Sequence, residues 1–244
     1  MLRKWDMLPD EMKTEAVRHY YDILAKKKHS LLLKRLFDIV GSFVLLIILA
    51  PLFLILAVAI RVDTLGPVFF RQTRITQYGK PFRIFKFRTM VHDTGGNGLQ
   101  VTMGDDPRIT RLGALLRKTG LDETPQCIDV LRGTMTFVGT RPEVPKYVEH
   151  YSEEMMATLL LPAGVTSVAS VFFKNECELL EGAEDIDAAY LDVVLPQKMR
   201  HNLAAIEQFS FCHELKALLM TVSYMFGKRF HGTGQSRQSE GGAR

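Results

Sequence analysis

Cysteine is scarce in this chain. Its three, Cys127, Cys177 and Cys212, are odd in number, far apart and free of any CxxC pair. That pattern argues against a disulfide framework and supplies no zinc site, so reduced thiols are the default expectation. His92, His150 and His213 have no metal-ligand spacing and read as structural. There is no GxSxG, no P-loop and no GxGxxG, which takes away the usual signatures of serine hydrolases, NTPases and dinucleotide binders. Zinc-finger spacing and RNP-type aromatic motifs are also missing, so nucleic acid is not an expected partner. No internal repeat is visible.

Charge is missing altogether from Ile39 to Ile60, a run of 22 residues. As one straight helix it would reach about 33 Å, close to the thickness of a bilayer core. It lies too far along the chain for a typical cleaved signal peptide. Its flanks are basic: Lys26, Lys27, Lys28, Lys34 and Arg35 precede it, and Arg61, Arg71, Arg74, Lys80, Arg83, Lys86 and Arg88 follow, with Asp63 the one acid among the latter. Basic residues mark the cytoplasmic side of a span, so both ends read as cytoplasmic. Pro51, near the middle, removes a helical hydrogen bond and is a natural bend. A helix that enters the bilayer, turns at Pro51 and leaves by the same face fits these facts; a Pro-kinked spanning helix is the alternative they leave open.

The 244 residues leave room for one sizeable domain beside such an anchor, and the formal net charge is only +4. The basic residues crowd around the apolar run, a distribution suited to an anionic membrane surface or a phosphate-bearing substrate held near one. Residues 1–29 read as an amphipathic segment, with Leu8, Met12, Ala16 and Tyr20 on one helical face, either an ordinary surface helix or one lying on the bilayer. Residues 30–62 read as the anchor, 63–226 as a cytosolic globular domain and 227–244 as a polar, Gly-rich tail expected to be disordered. Within 63–226, Val68-Phe69-Phe70 and Phe82 to Phe87 predict short strands joined through Tyr78-Gly79-Lys80. His92 to Gly104 is a Gly-rich loop. Asp106-Pro107 and Thr124-Pro125 each predict a helix start, the second helix ending near Gly133. Phe137 to Pro145 reads as loop, Tyr147 to Leu161 as helix and Val165 to Phe173 as strand. Asp187 to Val194 and Gln197 to Phe209 read as helices separated by Pro196, and His213 to Phe226 as a last amphipathic helix. The fold class is therefore α/β, mostly helical with a few short strands.

Asp122-Glu123 is the pair most suited to chemistry. With Thr124 as cap, both carboxylates would sit at a helix N-terminus, where the dipole favours anions. An ionised Asp there could act as nucleophile while an adjacent carboxylate holds a divalent cation on diphosphate oxygens. Acids before a helix are also common capping residues, so the pair alone decides little. Its surroundings add weight: Arg117 and Lys118 lie just before it, Arg141 sits in the Gly/Pro-shaped loop Val138 to Glu143, and Lys86 and Arg88 follow a strand near the anchor. Arginine suits a bidentate grip on phosphate. Carboxylates beside several cations, next to a membrane segment, point to chemistry on a diphosphate at the bilayer interface.

Lys34-Arg35-Leu36-Phe37-Asp38, Phe70-Arg71-Gln72-Thr73-Arg74, Lys86-Phe87-Arg88-Thr89-Met90, Leu121 to Gln126 and Arg141-Pro142-Glu143 together resemble, in order, the bacterial sugar transferase family. These are the monotopic phosphoglycosyl transferases that initiate surface glycan assembly. The resemblance, from about Lys34 to Phe226, implies transfer of a phosphosugar from a UDP-sugar to polyprenol (undecaprenyl) phosphate at the cytoplasmic face of the bacterial inner membrane. It implies a ping-pong mechanism in which Asp122 forms an aspartyl-phosphosugar and Glu123 holds Mg²⁺. It also implies that Arg117 and Arg141 lie near the active-site phosphate, and that Lys34, Asp38 and Pro51 mark the start and break of a re-entrant helix. A scaffold or nucleotide-sugar-binding protein of the same fold is the competing function. The C-terminal helix and long loops offer surface for a homodimer. Thr76, Thr134, Thr140 and Leu161 to Thr166 depart from the commonest pattern of the family.

Overall fold

The computed structural model describes residues 2–91, 106–167, 169 and 185–225. The glycine-rich loop, most of the strand expected up to Phe173 and the C-terminal tail fall outside them.

Helix α1, Glu15–Ala25, starts where Thr14 accepts the Val17 N–H, an N-cap bond that satisfies one orphan donor. Its apolar face does not lie on a bilayer. Val17, Tyr20 and Leu24, with Leu8 and Met12, are buried against Ile75, Tyr78, Leu159, Leu160, Leu203 and Phe209 in the largest core cluster.

Helix α2, Lys28–Asp63, contains the whole apolar run. The expected break at Pro51 is not shown, because the helix is continuous through it. Only the ends of α2 are covered. Leu31, Lys34, Asp38 and Ser42 are buried at one end and Leu56 and Ile60 at the other, while Phe43, Ile47, Ile48, Leu54 and Ile55 between them are exposed.

The two ends are fastened by charge. Lys34 Nζ donates to the Val138 carbonyl (2.6 Å) and pairs with Glu214. The Asp38 carboxylate accepts from the Thr136 hydroxyl (2.7 Å) and the Phe137 N–H (3.1 Å). Arg35 reaches the carbonyls of Val130 and Leu131. At the far end, Arg88 spends its guanidinium on the carbonyls of Ile60, Thr64 and Leu65.

After α2 come two strands, β1 (Phe69–Thr76) and β2 (Lys80–Phe87), paired antiparallel from Phe69↔Phe87 to Thr76↔Lys80. The hairpin expected from the alternation is present, longer than its apolar residues suggested. Phe87 is buried with Leu56, Ile60 and Leu116, and Phe53 meets its ring edge-on.

Helix α3, Arg111–Thr119, is capped by Thr110 rather than Asp106. Asp106 is instead bound by the Arg108 side chain and N–H. Gly113 lets α3 sit flush on the Thr89 backbone, where a Cβ would come within 1.9 Å of the Thr89 carbonyl oxygen. The second expected helix starts differently too. Leu121–Gln126 is a 3₁₀ turn running into α4, Cys127–Arg132, and the Thr124 hydroxyl donates to the Leu121 carbonyl instead of capping.

Strand β3, Met135–Val138, runs into the stretch expected to be loop from Phe137 on, and it pairs in parallel with β4, Ala163–Thr166. The helix expected over 147–161 is only α5, Pro145–Val148, and a 3₁₀ turn, Met155–Leu160; Ser152 accepts the Met155 N–H and starts that turn anew. Pro196 separates nothing. Helix α6 (Ile186–Ala189), a π-helical turn (Tyr190–Val194) and α7 (Leu195–Glu207) follow without interruption, the Leu195 N–H reaching back to Tyr190. Helix α8, Phe211–Met225, closes the described chain near its expected place. Among the described residues the fold is mostly helical with two small sheets, as expected.

The departures at Thr76, Thr134 and Ala163 meet in space. The Thr76 hydroxyl donates to the Thr134 carbonyl (2.6 Å) and accepts the Ala163 N–H (3.1 Å), tying β1 to the β3–β4 sheet.

Removing the Arg88 guanidinium leaves three helix-end carbonyls without that donor. Arg88→Met is expected to destabilise the protein by about 1.5–3 kcal/mol. Unfolding in detergent checks this; unchanged stability would show that the guanidinium does not fasten the end of α2.

Candidate active site

The Asp122-Glu123 pair is presented by the 3₁₀ turn that follows Gly120, whose left-handed backbone (φ 70°) ends α3. Strand β2 packs against this turn. Residues 70, 72 and 74 of β1 share a sheet face with their partners 86, 84 and 82 of β2, because side chains alternate between faces. Lys86 on that face extends its ammonium to Glu123 Oε1 (2.8 Å).

Arg141 closes the site from the loop after β3. Its guanidinium grips both Glu123 oxygens, with Nη1 at 3.1 Å from Oε2, and Nη1 also reaches the Val165 carbonyl. Arg74 stands behind it. Its Nε and Nη2 donate to the Gln72 amide oxygen and its Nη1 to the Pro142 carbonyl (3.2 Å). Arg117 donates from Nε to the Thr89 hydroxyl (2.9 Å) and acts on Asp122 by charge.

The two carboxyls are tuned in opposite directions. Burial works to raise Glu123, but the charges and hydrogen bonds of Arg141 and Lys86 outweigh it and hold the carboxyl well below its usual range. Asp122 is raised by burial and by the adjacent Glu123 charge, only partly offset by Lys86 and Arg117. The expectation that a helix dipole keeps Asp122 low is thus corrected: the pair lies inside a 3₁₀ turn, not at a capped α-helix start. Burial also lowers Lys86, against the pull of Glu123. Glu123 is the neutralised anchor of two cations, and Asp122 is the strained, more basic carboxylate.

The site therefore unites Asp122, Glu123, Lys86 and Arg141, with Arg117 close enough to act by charge. It does not include Arg88. Arg74 was not singled out, although the period-2 alternation of β1 places it on the same face as Lys86. Gln126 was quoted in the Leu121 to Gln126 motif but given no role. Its side chain is buried, at 1% exposure, and neither amide atom has a hydrogen-bond partner. It lies four residues after Asp122 in the same turn.

No group of three His, Cys, Asp or Glu side chains among the described residues could hold a metal unaided. Asp122 and Glu123 are the carboxylates such a cation would meet, and since Arg141 and Lys86 already occupy both Glu123 oxygens, Mg²⁺ there would have to draw further ligands from substrate phosphate oxygens.

A raised Asp122 pKa costs stability. The penalty is absent below the unfolded pKa of about 3.8 and fully present once pH has risen through the higher folded value. Asp122→Asn is therefore expected to stabilise the protein at pH 7 by about 0.5–2 kcal/mol, shifting the unfolding midpoint upward by about 2–4 °C per kcal/mol. The gain should vanish near pH 4. A destabilised variant at pH 7 would show that the carboxylate is not strained.

The sequence pattern of bacterial sugar transferases matches residues 29–228. The chain is 36% identical over 193 residues to a UDP-glucose:undecaprenyl-phosphate glucose-1-phosphate transferase of Caulobacter vibrioides, covering 78% of this chain and 68% of that protein. It is 33% identical over 195 residues to the protein of the same name from Escherichia coli, of which it spans 39%. Similarity to a galactosyl transferase of Streptococcus agalactiae is 31% over 214 residues, 83% of this chain and 44% of that one. An apolar helix fastened to an acid–base cluster of Asp122, Glu123, Lys86 and Arg141 and a match over most of its length place this chain in the bacterial sugar transferase family.

Proposed function

We propose that the protein transfers a phosphosugar from a UDP-sugar to undecaprenyl phosphate, the first membrane step of surface polysaccharide synthesis. The observation that carries this reading is the opposed tuning of the two carboxyls: Glu123 is locked by Lys86 and Arg141, leaving Asp122 beside them as the more basic one. Relatives bear the names of transferases using UDP-glucose and undecaprenyl phosphate.

In the first half-reaction an Asp122 oxygen attacks the β-phosphorus of the donor. The bond from that phosphorus to the bridging oxygen breaks, and UMP leaves with the electron pair. The aspartyl-phosphosugar is then attacked by a phosphate oxygen of the lipid, the acyl-phosphate bond breaks, and the carboxylate is restored. Desolvation makes Asp122 a better nucleophile than an exposed carboxylate. Lys86, Arg141 and Arg117 face the phosphate charge, with Arg74 supporting the Arg141 loop; fixed cations in a partly dry site are worth more there than in water. Glu123 would hold Mg²⁺, which supplies charge neutralisation at the diphosphate and the departing nucleotide.

The way α2 is fastened supports a one-sided topology. Lys34 and Asp38 near its start and the Ile60 and Thr64 carbonyls at its end all bond to the same globular body. The exposed apolar stretch lies between them. This supports a reading in which both ends lie on one side of a bilayer with the middle of α2 in the lipid, and the basic flanks of the run support the cytoplasmic side. This holds the site at headgroup level, where a soluble donor and a lipid phosphate meet.

Detergent-solubilised protein with undecaprenyl phosphate, Mg²⁺ and a panel led by UDP-glucose and UDP-galactose is expected to release UMP. Release should need both lipid and metal for turnover, stop with chelator, and fall at least 10³-fold in Asp122→Asn. Donor binding without UMP release would favour a non-catalytic sugar-nucleotide binder. Single cysteines at positions 29 and 65, both exposed, are expected to react only with a cytoplasmic thiol reagent. Labelling of the two from opposite sides would mean a helix that crosses the membrane.

A further inference from the structure

A second set of charges lies away from the Asp122-Glu123 pair, and the reaction does not use it directly. Glu143 and Lys198 are both buried, at 6% and 5% exposure. Glu143 Oε1 accepts from the Tyr190 hydroxyl (2.7 Å) and from Lys198 Nζ (3.2 Å), and Lys198 Nζ lies 2.9 Å from the Tyr190 oxygen. The Tyr190 ring stacks on Tyr147 (4.6 Å), whose hydroxyl donates to Asp187. The three side chains come from three places in the chain: the loop after β3, the π-helical turn and α7.

Such a triad is a poor way to gain stability, since desolvating two charges offsets most of their attraction. Its place in the chain says what it does instead. Glu143 is two residues after Arg141, and the intervening Pro142 keeps that stretch stiff. The backbone of the stretch is tied on either side. The Pro142 carbonyl accepts from Arg74, the Glu143 carbonyl accepts the Ile75 N–H (3.0 Å), and the Thr140 carbonyl accepts the Gly164 N–H (2.8 Å). Gly139 and Gly164 pass so closely that a Cβ on Gly164 would lie 2.3 Å from the Gly139 carbonyl oxygen. The Glu143 carboxylate is the side-chain peg of this loop, and Lys198 and Tyr190 form its socket. The π turn helps shape the socket. Pro196 has no N–H to give, and the ladder widens so that Leu195 bonds Tyr190 five residues back, with Tyr190 turned inward beside Lys198.

We infer that Lys198 and Tyr190, through Glu143, are positioning residues that set the Arg141 guanidinium against Glu123 and the donor phosphate. The inference rests on the proposed phosphosugar transfer for its kinetic consequence, and on geometry alone for its structural one. A displacement of about 1 Å at a group that orients a reacting phosphate costs on the order of 10²-fold in rate.

The test pairs Lys198→Met with Arg141→Ala in a double-mutant cycle, reading UMP release in the first half-reaction, with amide hydrogen exchange on the same full-length proteins. Lys198→Met is expected to slow release 10–100-fold in the parent and less than 3-fold in the Arg141→Ala background, because the group it positions is already gone. Lys198→Arg should recover most of the rate. The amides of Thr140, Arg141 and Glu143 should exchange at least 10-fold faster in Lys198→Met, with those of the β1–β2 hairpin unchanged. An equal loss in both backgrounds would assign Lys198 a merely structural role and overturn the inference. So would unchanged exchange in the loop. If Tyr190→Phe, which keeps the ring and its stacking, leaves both rate and exchange untouched, Tyr190 is no part of the device. Should the parent protein release no UMP at all, the transferase reading fails, while the exchange comparison still decides whether the triad holds the loop.

Discussion

The described structure turns on the need to hold a helix with a charge-free middle against a polar body. Apolar contact alone cannot fix such a helix, because lipid offers its side chains an equivalent environment. The fastening is done instead by polar groups at its ends. Asp38 reads two donors on β3, Lys34 reads a β3 carbonyl and a carboxylate of α8, and Arg88 gathers three carbonyls at the far end. Each bond is directional, so the position of the helix is specified as well as its attachment. Strand β3, which receives Lys34 and Asp38, runs directly into the Arg141 loop. The contacts of the anchor and Arg141 are thus two ends of one short piece of chain.

The site itself is an arrangement of unequal carboxylates. Two adjacent acids in similar surroundings would compete for the same protons. Here Lys86 and Arg141 both choose Glu123, so one acid is held ionised while the other bears the cost of burial. Pushing neighbouring titratable groups apart in this way divides their labour. The hairpin delivers Lys86 and Arg74 from one face, and the other face binds Asp129 through the Phe85 N–H and stacks Arg71 on the Phe85 ring.

Much of this was legible in the chain. The apolar run, the alternating hairpin strands, the C-terminal amphipathic helix and the pairing of Asp122-Glu123 with nearby cations are local patterns, and local patterns survive folding. What was hidden depended on distant partners. β3 is four residues long and buried throughout, so it shows no alternation and passes for loop. Arg88 looked like a twin of Lys86, and only the proximity of the α2 C-terminus decides its use. Asp106 and Thr124 carried cap signals that side-chain bonds elsewhere overrode. Glu143 and Lys198 lie 55 positions apart, and no spacing rule connects them. Pro196 read as a breaker because the rule assumes an α-helical ladder, whereas a π turn accommodates the missing donor.

Pro51 leaves a mark on α2 even though the helix runs through it. With no N–H at position 51, the Ile47 carbonyl four residues earlier lacks its α-helical donor, within the exposed apolar stretch of α2. An unsatisfied carbonyl costs several kcal/mol in dry hydrocarbon and far less where water or a lipid headgroup reaches it. The Ile47 carbonyl is thus the one point on the exposed apolar stretch of α2 that calls for a polar neighbour, water or a side chain, where the flanking Ile48, Leu54 and Ile55 call for none.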